Sequence, residues 1–176
     1  AEQVVLDSRF SRLLTGPMRE TFDARNIRGS LDIANLHMRY TFPDEGDQFD
    51  LSFEGPVNAE SVTMNLVAPV RELVGRFDFT RGQVSAEGGT VECRASDVAF
   101  EVLGHRAQSL QSTIIASPDD ITLRDLSMEV HGGRVESNGA DGMALSFALD
   151  TETLAADLRW DGMSLTQFTQ AAGQTT

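Results

Sequence analysis

Three histidines, one cysteine and a run of carboxylates are the residues of this chain whose types could carry chemistry. His37, His105 and His131 offer no base, nucleophile or ligand partner at workable spacing. His37 falls at an outward position between Leu36 and Met38, and His131 sits just before Gly132-Gly133, so these histidines are expected to be structural. The segment from Phe42 to Glu54 carries Asp44, Glu45, Asp47, Asp50 and Glu54, oxygens of the kind that calcium takes. It lacks the Gly-and-carboxylate register of an EF-hand loop, and it reads as an acidic hairpin loop that keeps a sheet soluble. Asp119-Asp120 after Pro118 reads as a turn. Cys93 alternates with Val91 and Ala95, which predicts a small buried apolar group. A single cysteine also excludes an intrachain disulfide and a cysteine-based zinc site. Gly75, Gly82, Gly88 and Gly89 are separated by strand-like residues, so no phosphate-cradling loop precedes a helix. No catalytic residue, metal or cofactor is assigned, and the chain is not expected to be an enzyme.

Charge and composition narrow the partners. The 27 acidic residues against 14 basic ones give a formal net charge of -13, which repels phosphate backbones and anionic surfaces, so nucleic acid is excluded as a partner. The basic residues are all arginine and are scattered rather than clustered. Ten Phe stand against one Tyr and one Trp, and Phe is a residue of cores and acyl-chain surfaces, whereas sugar platforms need exposed Trp or Tyr. The apolar runs fall far short of the ~20 residues needed to cross a bilayer, so no membrane span is expected here. The chain opens Ala1-Glu2-Gln3 without Met or a secretory signal, and is expected to have been processed or excised from a longer protein whose anchor lies upstream.

The elements that would position any site are strands. Strict alternation runs through Leu31 and Ile33; Phe49, Leu51 and Phe53; Val62, Met64 and Leu66; Phe77 and Phe79; Leu145, Phe147 and Leu149. Helix is expected in three places. Asp7 or Ser8 caps a short helix carrying Phe10, Leu13 and Leu14, a second weak segment covers Met18 to Ala24, and Ser164 to Gln167 has the spacing of a capping box for a tail helix over Leu165 to Ala172. Pro69 to Val74 reads as one turn of helix or a loop. Gly88-Gly89, Gly132-Gly133 and Asn138-Gly139 suit hairpin turns. These boundaries divide the chain into a helical and loop lead-in at 1–28, a β-repeat region at 29–163 and a helix with tail at 164–176.

An internal repeat lies within that region. Leu31 to Tyr40, Cys93 to Val102 and Ile121 to Val130 all read Φ-x-Φ-x-(Asn/Asp)-Φ-x-Φ-x-Φ, with Φ an apolar residue. The apolar phase shifts once in each copy, at Asn35, Asp97 and Asp125. One extra residue reverses the pleat, so a β-bulge or strand break at each of those positions restores a single apolar face. A degenerate fourth copy runs from Leu158 to Leu165. Unequal spacing between copies disfavours a short-period solenoid and favours long, bent strands joined by hairpins and variable loops.

The order of these parts resembles the AsmA-like family of Gram-negative envelope proteins, including their carboxy-terminal repeat regions. Pro69 to Phe79 resembles the family's short turn, glycine and strand; Ile121 to Gly139 resembles its strand, glycine turn and strand ending in Gly; Leu158 to Phe168 resembles the strand that runs into a helix at the close of a repeat. With the Gly29 to Tyr40 strand, the likeness covers most of the chain after about residue 26. It implies a long, twisted sheet with an apolar concave side, a periplasmic location with attachment to the inner membrane through a segment outside this chain, and a part in phospholipid traffic or outer-membrane assembly.

The combined expectation is an all-β fold: a long, twisted, bulged antiparallel sheet, forming a groove or a sandwich, with short helices near the N-terminus and at the C-terminus. Its expected function is non-enzymatic presentation of an apolar surface to a phospholipid or acyl chain, as part of a larger membrane-anchored protein. Lipid-facing candidates are Met38, Tyr40, Phe42, Phe77, Phe79, Phe100, Val102, Met128, Val130 and Phe147, since flexible Met and broad Phe accommodate a chain of variable shape. A structural or protein-interaction β-domain is the main alternative, with a carbohydrate-binding sandwich behind it.

Overall fold

The computed structural model describes residues 2–14, 16–41, 50–66, 68–85, 88–139, 141–149, 151, 153–162, 164, 166 and 169. Strand accounts for 72% of the described residues, which settles the all-β class. In chain order the elements are β1 (Glu2–Leu6), α1 (Ser8–Ser11), α2 (Gly16–Ala24), β2 (Arg28–Ile33), β3 (His37–Thr41), β4 (Asp50–Asn65), β5 (Pro69–Ser85), β6 (Gly88–Val102), β7 (His105–Ala116), β8 (Asp120–Val130), β9 (Gly133–Ser137), β10 (Met143–Ala148), β11 (Thr153–Ala156) and β12 (Leu158–Asp161).

These strands form one antiparallel sheet in the order β1-β2-β4-β5-β6-β7-β8-β10-β11. At each side the last long strand is shared by two short ones. β4 pairs with β3 through Asp50 to Glu54 and with β2 through Val57 to Thr63. β8 pairs with β10 through Asp120 to Arg124 and with β9 through Ser127 to Val130, and β9 in turn pairs with β12. Among the described residues β1 and β11 do not pair, so the sheet is not closed into a barrel.

Long strands need help to keep one face apolar while they bend, and bulges supply it. Five successive strands each carry one non-glycine residue in the left-handed region: Ser61 in β4, Glu72 in β5, Asp97 in β6, Ser109 in β7 and Asp125 in β8. Each lies at a shift of register against a neighbouring strand. The extra residue turns the pleat over, so side chains three apart point the same way: Ala59 with Val62, Ala95 with Val98, Ala107 with Leu110. Asp97 and Asp125 are thus bulges, and at Asn35 the chain breaks between β2 and β3, as the repeat requires. Where β5 crosses the bulge of β6, Gly75 has φ 141°, and a Cβ there would lie 2.6 Å from the Val98 Cα, so the two backbones approach as closely as a glycine permits.

The apolar face is buried in two clusters. Ala95, Val98, Ala107, Leu110, Leu126, Val130, Val135 and Ala144 form the larger one. Leu6, Phe22, Ala59 and Val62 form the smaller one, on which Phe10 and Leu14 also pack. Leu73 and Phe77 touch both clusters and join them. Asp7 caps α1 by accepting from the N–H groups of Arg9 and Phe10 at 2.7 and 3.1 Å, which places Phe10 against Phe22 with ring centroids 5.5 Å apart. The Ser11 hydroxyl donates to Asp23 at 2.6 Å and ties α1 to α2.

Several expectations are corrected. Pro69 to Val74 is the start of β5 and neither helix nor loop; Val70, Leu73 and Val74 have helical spacing because the Glu72 bulge inserts a residue into a strand pattern. The lead-in at 1–28 contributes β1, which pairs along its length with β2. Asn138-Gly139 does not close a hairpin, since β9 pairs with β8 and β12 and not with β10. Gly88-Gly89 opens β6 instead of turning, and the second glycine turn is His131-Gly132, one residue earlier than expected. The tail helix falls largely outside the described residues. No described helix is long and apolar enough to cross a membrane.

Candidate functional site

An apolar groove of about 340 Å³ runs along β2, β4 and β5. Strand alternation builds it. Leu31 and Ile33 come from β2, Leu36 from the break after it, Phe53 and Val57 from β4, and Leu73, Phe77 and Phe79 from β5. Every residue around it is apolar. Phe53 and Phe79 meet edge to face with centroids 5.4 Å apart, and the Phe53 ring lies directly over Gly82, where any side chain would collide with it. The large Phe side chains are half-buried, so their exposed edges form the wall of the groove.

The two ends differ. Leu6 and Ile27 line one end, backed by Phe22, Phe10 and Leu14, which makes that end closed. Toward the other, β3 places Met38 opposite Phe53 and Tyr40 opposite Leu51, on the groove side of the sheet. Both are exposed, Met38 at 62% and Tyr40 at 48%, and neither is part of the groove lining.

Charge stays on the outer face. The Arg76 guanidinium binds both oxygens of Asp78 at 2.7–3.0 Å, and this hydrogen bonding holds the Asp78 carboxyl below the usual carboxylate range. Arg76 and Asp78 alternate with Phe77 and Phe79, so polar and apolar groups of one strand are separated by the sheet itself. Cys93, the ladder partner of Phe79, is 4% exposed, and burial, with a smaller push from Glu92, raises its thiol to about 11. A thiol so placed stays protonated at neutral pH and is no nucleophile. Among the described residues no group of three or more His, Cys, Asp or Glu side chains gathers around a metal-sized space. Most of the acidic segment weighed for calcium lies outside the described residues.

The ten lipid-facing candidates separate into different surroundings. Phe77 and Phe79 line the groove, whereas Met38 and Tyr40 are exposed on the adjoining β3 and are not part of its lining. Phe100 and Met128 are half-buried against the larger core cluster, Val130 is a member of it, and Phe147 is buried in β10, so these four serve a core. Val102 is half-buried at the end of β6, and Phe42 lies outside the described residues. The continuous surface expected from all ten is therefore confined to the half of the sheet around β2 to β5. Sequence reasoning missed Leu36 and Phe53 as site residues. Phe53 lies within the segment from Phe42 to Glu54 weighed as an acidic loop, and its alternation with Phe49 and Leu51 marked a strand there without marking a site.

Comparison with family models, with curated proteins and with solved structures finds no match to this chain.

Proposed function

We propose that the groove between β2 and β5 receives an acyl chain, and that the chain is a non-enzymatic, AsmA-like segment of a Gram-negative envelope protein that handles phospholipid on the periplasmic side. One observation carries this reading: a groove of about 340 Å³ is lined by apolar side chains alone, with the exposed Met38 and Tyr40 on the adjoining β3 and with Phe10 and Phe22 of α1 and α2 packed in the cluster that holds its Leu6. Such a lining recognises hydrocarbon by burial, worth roughly 25 cal/mol per Å² of apolar surface removed from water, and offers no polar group to orient a sugar or a nucleotide. Tail-first entry follows, with the polar head left outside. The rival reading, a protein-interaction domain of a larger protein, is favoured by the edge strands, where Leu154 of β11 and Trp160 of β12 are 51% and 47% exposed.

Mass spectrometry of organic extracts of the purified chain tests the acyl reading. Acyl species above a blank are expected from the parent and not from a folded Phe79→Asp variant, in which a charge stands in the groove wall. A parent free of acyl species that also fails to take up a fluorescent fatty acid would overturn the reading and leave the interaction domain.

A further inference from the structure

The two histidines at one rim of the sheet, set aside as structural on sequence grounds, meet in space. β6 turns into β7 through Leu103-Gly104, with φ 51° and 76°, and β8 turns into β9 through His131-Gly132, with φ 51° and 73°. Ladder pairs close both turns, Val102 with His105 and Val130 with Gly133. Because β7 lies beside β8, with Ala107 opposite Val130, the turns are neighbours. The His105 Nδ1 is 2.7 Å from the His131 Nε2, with ring centroids 5.0 Å apart and the planes at 82°.

We propose that His105 and His131 form a two-point site for a borderline divalent metal ion such as Zn²⁺. A hydrogen bond between two imidazole nitrogens needs one of them unprotonated, so the pair already holds a lone pair directed into the shared space. Displacing the shared proton brings a second lone pair to the same point. Zinc binds imidazole at about 2.0–2.1 Å with tetrahedral angles, which sets two ligand nitrogens about 3.3 Å apart. The rings must therefore separate by about 0.6 Å, a movement that side-chain rotation supplies while the hydrogen-bonded turns hold the backbones. The charged groups of the surrounding strands alternate onto the opposite face. Arg71 opposes Glu101, Glu101 opposes Arg106, and Glu129 opposes Arg134, which in turn opposes Asp161 of β12. On the histidine side the ladder places Val70, Val102, Ala107 and Val130, so the ion meets no guanidinium there, and the chain's net charge of -13 favours a cation. Among the described residues the protein supplies two ligands, so the ion is bound more weakly than in a four-ligand structural site.

Zinc titration of the full chain by calorimetry near pH 7.5 provides the test, with saturable binding expected. His105→Gln and His131→Asn, the latter chosen because Asn tolerates the left-handed backbone, are each expected to lower affinity on the order of tenfold or more, whereas His37→Gln leaves it unchanged. A second measurement needs no variant: zinc should protect His105 and His131, but not His37, from acylation by diethyl pyrocarbonate. Absence of binding up to millimolar zinc, binding that survives both rim substitutions, or equal protection of all three histidines would overturn the proposal.

Discussion

Strands β4 and β5 carry Phe53, Phe77 and Phe79 with their ring edges exposed, whereas β6, β8 and β9 hold Val98, Leu126 and Val135 below 2% or at 2% exposure on the same face of the same sheet. Both regions use the same device, a left-handed bulge that keeps the inward pattern in phase. They differ in side-chain size. The closed region interleaves Ala95, Ala107 and Ala144 with Val and Leu, so the sheet can bend over its own face until the side chains touch. The open region sets broad rings on β4 and β5, which prop the walls apart and leave a groove. Pattern decides which face is apolar, and bulk decides whether that face closes.

The largest effect should come from placing a charge on each side of this comparison. Val98→Asp or Leu126→Asp buries a carboxylate with no partner in a packed core, at a cost on the order of several kcal/mol, and is expected to abolish the cooperative urea transition. Phe79→Asp leaves water access to the new charge and is expected to keep a folded chain. Similar loss of folding in all three variants would show that the groove is a core like the other.

Gly75 tests the joint between the regions. Alanine there combines a φ of 141° with a Cβ 2.6 Å from the Val98 Cα, and roughly 2–4 kcal/mol of destabilisation is expected from strain and overlap together. A shift of the urea midpoint that is within error would mean that β5 and β6 approach less closely than described.

A smaller, pH-dependent effect belongs to Cys93. Burial raises its thiol from 9.0 to about 11, so the folded state holds the proton more tightly than the unfolded one. The stability this contributes is complete below about pH 9 and declines as pH rises toward about 11, the interval between the two values. Thermal scans across that interval should show a decline that Cys93→Ala flattens. Rapid alkylation of the native thiol at neutral pH would contradict its burial at the seam between groove and core.

Much of this was legible in the sequence, for a physical reason. The period of two survives any tertiary arrangement, so the strands and the inward set could be read directly, and Asn35, Asp97 and Asp125 stood out because the apolar phase shifts at each; Asp97 and Asp125 take the left-handed backbone that Asp tolerates. Ser61, Glu72 and Ser109 take the same conformation without belonging to the residue types that announce it. Their signal was the spacing alone: Ala59 to Val62, Val70 to Leu73 and Ala107 to Leu110 step by three where alternation steps by two. At Pro69 to Val74 that step imitates a helix, and the imitation led to the wrong element. The site was less legible than the fold, because whether Phe79 lines a groove and Phe100 packs on a core depends on the size of residues in neighbouring strands, which no local pattern encodes.

The smallest expected effect is at Asp7, and it asks whether the two regions are energetically separate. Asp7 accepts hydrogen bonds from the N–H of Phe10 and from the Arg9 side chain and N–H, which hold its carboxyl below 3.8. A lowered value means that the contribution is present above 3.8 and fades as pH falls through the lower, folded-state value. Asp7→Ala removes the cap of α1 and should lower Tm by no more than a few degrees at neutral pH, with the difference from the parent shrinking in acid. Asp7→Asn keeps an acceptor for the helix N–H groups and should lose less. Because α1 presses Phe10 onto Phe22 at the closed end of the groove, the loosening belongs to β1, β2 and that end alone. Hydrogen exchange resolves this: amides of β1 and β2 should lose protection in Asp7→Ala while those of Val98 and Leu126 keep theirs. Equal loss in both sets would mean that the sheet opens as one unit, and that groove and core, though packed differently, share a single unfolding event.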